Sequence, residues 1–182
     1  MSFTKIILAS TIIAILLSSC SLSQRSEKEV LSAIYSEVMA YGFSYSGSGH
    51  FDYCETGALN INPYTDDFRT VVNNWQTAQD YFPELEQETW ENFLQVNAQS
   101  GPFLRNLDLG CKYTLVDVPP NQPMENCVVV NHFSQIGFNA SKNQALVSYG
   151  QSCGFYGCSS LYFAELIDGH WVVVDLDEIV CS

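Results

Sequence analysis

The spacing of apolar residues changes once along this chain, near Gly101, and that change limits the folds open to it. Before it, apolar residues recur every three or four positions; after it, they alternate or run in short β-branched and aromatic stretches. The two periods belong to helices and strands respectively. Val30, Leu31, Ile34, Tyr35, Val38 and Met39 form a helical stripe, opened by Ser26 and Glu29 at capping-box spacing and expected to end at Gly42. The Gly/Ser-rich run Gly42 to His50 reads as a loop and Ala58 to Ile61 as a short strand. A second helix is predicted from Asp66 to Asp80, burying Phe68, Val71, Val72, Trp75 and Ala78. A third is predicted from Pro83, with Trp90, Phe93, Leu94 and Val96 on its apolar face. Strands follow at Tyr113 to Val116, Cys127 to His132, Ser134 to Phe138, Ala145 to Tyr149, Leu161 to Leu166 and Trp171 to Leu176. Asp168-Gly169 joins the last two through a tight hairpin turn. Helices first and an antiparallel meander afterwards predict one α+β domain over 27–182. Its helices are expected on one face of an antiparallel four- to six-stranded sheet.

The first twenty residues predict an address. Lys5 precedes an apolar stretch from Ile6 to Leu17, broken only by Ser10 and Thr11. A membrane-crossing helix needs about 20 apolar residues, so this run reads as a secretory signal and not a span. Its ending, Leu17-Ser18-Ser19-Cys20, resembles the lipobox of bacterial lipoproteins. The resemblance implies removal of residues 1–19 and a diacylglycerol on the thiol of Cys20. Ser21 is not the aspartate that retains many such proteins in the inner membrane, which implies an outer-membrane address in the bacterial envelope. Residues 20–26 then form the lipidated N-terminus and tether. The five residues from Ser21 to Arg25 reach under about 20 Å and would hold the domain close to the bilayer.

Six further cysteines follow: Cys54, Cys111, Cys127, Cys153, Cys158 and Cys181. An even number in an exported domain predicts a disulfide-stapled fold with three bridges and, in principle, fifteen pairings. Proximity along the chain favours Cys153–Cys158 and Cys111–Cys127, leaving Cys54–Cys181. No Cys-x-x-Cys pair is present, which argues against a thioredoxin-type redox site and a paired zinc knuckle.

Charge narrows the partners. All twenty acidic residues lie after Cys20, against six of the seven Lys and Arg, so the mature chain carries a net charge of −14. Acids cluster from Asp80 to Glu91 and from Asp175 to Glu178. Such a surface repels phosphate backbones and argues against nucleic-acid binding. It repels anionic head groups too, so the lipid on Cys20 is the expected membrane attachment. The partner it suits is a basic protein or peptide. A hydrophobic content of 47% supports a packed globule, and no Pro, Gly or Ser tract divides the chain.

Residues of chemical interest are few. His50 lies in GSGHF near Ser46 and Ser48, His132 in a strand pattern, and His170 after a hairpin turn. No Gly-x-Ser-x-Gly elbow accompanies them, and no two sit at i and i+4, so no catalytic, metal or cofactor site is expected. Glu84, Glu86, Glu88 and Glu91 read as a solvated helix face. Asp175 and Asp177 share one side of a strand, where like charges repel and a cation such as Ca²⁺ would relieve them; the stretch lacks the glycine and spacing of an EF-hand. The candidate recognition surface is the loop Ser152 to Ser160, with Phe155 and Tyr156 between Gly154 and Gly157.

The stretch FSQIGFNASKNQALVSYGQSCGFYGCSSLYFAELIDGHWVVV carries a second likeness. Through Ser134, Ile136, Gly137, Phe138, Asn139, Ala145, Leu146, Val147, Gly169, Trp171 and Val173 it resembles an uncharacterised family of bacterial exported proteins. Glu88, Thr89, Phe93 and Asn97 are similar to an upstream element of that family. Cys153 and Cys158 stand one residue further apart than the family pattern has them. The resemblance implies a fold and brings no activity with it. The expected role is therefore a membrane-tethered, non-enzymatic binding or envelope-accessory domain. The alternatives are a periplasmic immunity-type inhibitor of a basic toxin and an envelope hydrolase.

Overall fold

The computed structural model describes residues 25–45, 59–65, 74–103, 105–117, 128–153 and 156–181, with backbone alone at 43–45, 156 and 178–181. Three helices are α1 (Glu27–Tyr45), α2 (Trp75–Tyr81) and α3 (Gln87–Val96). Seven strands are β1 (Leu59–Ile61), β2 (Tyr113–Leu115), β3 (Val130–Phe133), β4 (Gly137–Phe138), β5 (Gln144–Cys153), β6 (Tyr156–Ile167) and β7 (His170–Cys181). They make one sheet in the order β2-β1-β3-β5-β6-β7, with β4 also paired to β5. The fold class is α+β, as the sequence predicts.

Four expectations about its layout are corrected. The helices do not all precede the strands, because β1 lies between α1 and α2. The sheet is mixed, not antiparallel: β1 runs parallel to both β2 and β3, while β3 to β7 pair antiparallel. At seven strands it also exceeds the four to six expected.

The fourth correction concerns where the core sits. Along β5, Ala145, Val147 and Tyr149 pack with Ile34, Tyr35, Val38 and Met39 of α1, together with Tyr162, Ala164, Trp171 and Val173. The intervening Leu146 packs with Phe82, Trp90 and Phe93, alongside Leu161 and Phe163 of β6. Successive strand residues point to opposite faces. So α1 covers one face of the sheet, and α2 with α3 covers the other. The helices are not packed on one face. Every residue of β5 from Gln144 to Gly150 is buried in consequence.

Local chemistry explains the element ends. Ser26 and Glu29 close the predicted capping box: the Ser26 N–H donates to Glu29 Oε2 at 2.8 Å, and the Glu29 N–H to Ser26 Oγ at 3.3 Å. Gly42 does not end α1, which continues to Tyr45. A Cβ at Gly42 would lie 2.7 Å from Tyr162 Oη, so the glycine lets the helix approach the sheet. Asn74 caps α2 by accepting from the Thr77 N–H at 3.0 Å; residues 66–73 of the predicted helix lie outside the described residues. At the β6–β7 turn, Asp168 and Gly169 take φ of 51° and 80°, the left-handed pair a two-residue hairpin demands.

Candidate functional site

The segment from Ser134 to Asn139 forms the seam between α3 and the sheet. The Ser148 N–H donates to Ser134 Oγ at 2.8 Å, and Tyr35 Oη donates to the Ser134 carbonyl at 2.9 Å. The Gln135 N–H donates to Asn97 Oδ1, while Asn97 Nδ2 donates to the carbonyls of Phe93 and Gln135. A Cβ at Gly137 would fall 2.4 Å from Phe93 Cα, so only glycine allows α3 this close. The Phe138 N–H donates to Asn92 Oδ1, and its ring meets Trp171 edge-on. Asn139 Oδ1 accepts from the Asn143 and Gln144 N–H groups, closing the β4–β5 turn. These residues hold helix to sheet.

The acidic run at α3 takes part in the same seam. Glu86 Oε2 accepts from Asn139 Nδ2 at 3.1 Å, and Glu88 Oε2 from the Ala140 N–H at 3.0 Å. Glu91 accepts from Gln87 one turn away. Two of the four carboxylates therefore fasten a turn instead of facing only water, while Glu84 is exposed.

One constellation has the residue types of a hydrolytic triad. His132 on β3 lies between Asn62, just past β1, and Ser152 on β5. Its Nε2 is 2.6 Å from Ser152 Oγ, and its Nδ1 is 3.1 Å from Asn62 Nδ2. The sequence places His50 near Ser46 and Ser48, predicts no catalytic site there and gives no sign of this set. His50, Ser46 and Ser48 lie outside the described residues, and the partners of His132 are 70 and 20 positions away. The hydrogen bonds fix the direction of the array. Asn62 Oδ1 accepts from the Tyr64 N–H at 3.0 Å, which turns Nδ2 toward the ring as a donor. Nδ1 is then the bare nitrogen, and Nε2–H donates to Ser152 Oγ. A general base needs the reverse, with the lone pair of Nε2 facing the serine hydroxyl. As bonded, the set joins β1, β3 and β5 and does not activate a nucleophile. Beside it, Asn131 Oδ1 accepts from Tyr149 Oη and Gln151 Nε2, and Asn131 Nδ2 donates to the Asn60 carbonyl.

Of the remaining candidates, Phe155 lies outside the described residues, and Tyr156 is described only as the backbone that opens β6. Cys20, Cys54 and Cys127 lie outside them as well. Cys111, Cys153 and Cys158 are disulfide-bonded. His170 is exposed at the first position of β7. Among the described residues, no three His, Cys, Asp or Glu converge as a metal ion would require, Asp175 and Asp177 included.

Among the described residues β7 lies at one end of the sheet and β2 at the other. The only strand partner of β7 among the described residues is β6, and its other edge meets no described strand. Its register skips Val174 and Ile179, two bulges that break the alternation. Asp175 stands across from Phe163 and Asp177 across from Leu161, so both acids share the sheet face that carries α2 and α3. Asp175 and Val174 are exposed, the latter at 40%. No family model, curated protein or solved structure matches this chain.

Proposed function

We propose that this chain is a lipid-anchored protein of the bacterial envelope whose domain binds, without catalysis, an extended basic segment of a protein or peptide. Membership of the uncharacterised exported family is part of the same proposal. The leader and Leu17-Ser18-Ser19-Cys20 support the anchor. The observation that supports the binding role is the position of β7 at the end of the sheet, with β6 as its only strand partner among the described residues. Sheet edges are commonly guarded by lysine, which discourages a second strand from adding. β7 contains no Lys or Arg and presents Asp175 and Asp177 on one face. A second copy, carrying the same net charge of −14 on its mature chain, is repelled. A strand with basic residues two positions apart is attracted, since its cations fall opposite the two acids. A basic toxin is the narrowest form of such a partner, and the immunity-type role is that special case.

Cross-strand pairs of opposite charge contribute roughly 0.2–1 kcal/mol each. An eight-residue peptide alternating Val and Lys should therefore bind the detergent-solubilised full chain more tightly than its Val/Glu counterpart, and added salt should erase the difference. Asp175→Lys with Asp177→Lys should reverse the preference. Equal affinity for both peptides, or no response to the charge reversal, would overturn the proposal.

A further inference from the structure

We propose that the disulfide of Cys158 is made with Cys181 across β6 and β7, not with Cys153 across the tip of the β5–β6 hairpin. Strand register carries this assignment, independently of the binding role. Disulfides require Cα atoms about 4.4–6.8 Å apart and Cβ atoms near 3.8 Å. Directly opposite residues of an antiparallel pair have Cα separations of about 4.5 or 5.5 Å, whereas diagonal neighbours stand about 7–8 Å apart. On β5 and β6, Cys153 is opposite Tyr156 and Cys158 is opposite Gln151. Cys153 and Cys158 are therefore diagonal to one another, outside the usual span. On β6 and β7, Cys158 is directly opposite Cys181. The bulge between Ser159 and Ser160 begins one residue further along and leaves this pair aligned. Cys158 is disulfide-bonded, and Cys181 is the cysteine its register offers.

Chain proximity misleads here because β5 and β6 meet through a tight tip. Five positions separate Cys153 from Cys158 along the chain, and the ladder sets them two residue pairs apart on different strands. Cys153, also bonded, must then reach a cysteine elsewhere in the chain. Formation balances by thiol–disulfide exchange. The two thiols of Cys158 and Cys181 give up two protons and two electrons. A protein disulfide oxidant, whose own disulfide becomes a dithiol, takes them through a mixed disulfide.

The sequence permits a direct test on the wild-type protein. Chymotrypsin cuts after Phe155 and Tyr156, which separates Cys153 from Cys158. Digestion without reductant, after blocking free thiols at acid pH, should yield Gly157–Tyr162 joined to a fragment ending at Ser182, and reduction should split the two. Recovery of Cys158 joined to any other cysteine, or carrying the blocking group, overturns the assignment. In Cys181→Ser, Cys158 should become alkylatable under denaturing conditions; a Cys158 that stays blocked to reagent in that variant also overturns it.

Discussion

At the scale of single residues, Tyr35 shows how burial and hydrogen bonding act on one group. Its side chain is 4% exposed, and its hydroxyl donates to the Ser134 carbonyl. Burial pushes the phenol well above the ordinary tyrosine value of about 10. The folded state therefore favours the neutral form more strongly than the unfolded chain does. The stability this contributes is complete below about pH 10 and declines as pH rises toward the folded value. Tyr35→Phe should lose about 1 kcal/mol near neutral pH, the usual worth of such a bond. Above about pH 10 it should lose stability less steeply than the wild type. Urea midpoints measured on either side of that pH check both halves, and parallel curves would refute the assignment. At this scale the sequence was informative where rules are local. The Ser26–Glu29 box and the Asp168-Gly169 turn depend on neighbours within three positions, and both form as expected. Gly42 was misread because its reason is Tyr162, which lies on another element.

At the scale of elements, α3 begins at Gln87 and not at Pro83, because its cap comes from the sheet. Glu86, at the N-cap, makes no capping bond with its own side chain. Gln144 of β5 supplies it instead: Oε1 accepts from the Glu86 N–H at 2.9 Å and from Thr89 Oγ1 at 3.3 Å. Its Nε2 donates to the Glu84 carbonyl and to Glu165 Oε1. Among the described residues, every buried side-chain nitrogen and oxygen has a partner, and Gln144 supplies several of those bonds. Gln144→Met preserves volume but strands the buried Thr89 hydroxyl, along with the part-buried Glu86 N–H and Glu84 carbonyl. We expect it to cost about 2–3 kcal/mol, since each unsatisfied buried group costs roughly 1–3. Thermal or urea unfolding measures this, and a loss below about 0.5 kcal/mol, the usual surface value, would show that the cap is dispensable. No local pattern announces a cap that arrives from 58 positions away. The same distance hid the Asn62, His132 and Ser152 set.

At the scale of the whole molecule, the sequence conveyed the class and missed the layering. β5 reads Gln-Ala-Leu-Val-Ser-Tyr-Gly, without the polar alternation of a one-sided sheet, and that lack of alternation signals burial on both faces. The three residues of β1 gave too little pattern to reveal a parallel partner 54 positions away in β2. The proposed lipid anchor is tested at this scale. Cys20→Ala should leave the chain unprocessed or released from membranes, read by fractionation and by the mass of the N-terminus; a processed form that stays membrane-bound in high salt would exclude lipid as the attachment. The contact between α1 and β7 bears on how such a protein is made. α1 buries its apolar stripe partly against Trp171 and Val173, so the earliest described helix packs against the final strand. Pairings this distant in sequence are slow to form. The core cannot close until the last strand has left the ribosome. A chain built this way keeps the α1 face of its core open until β7 has been made.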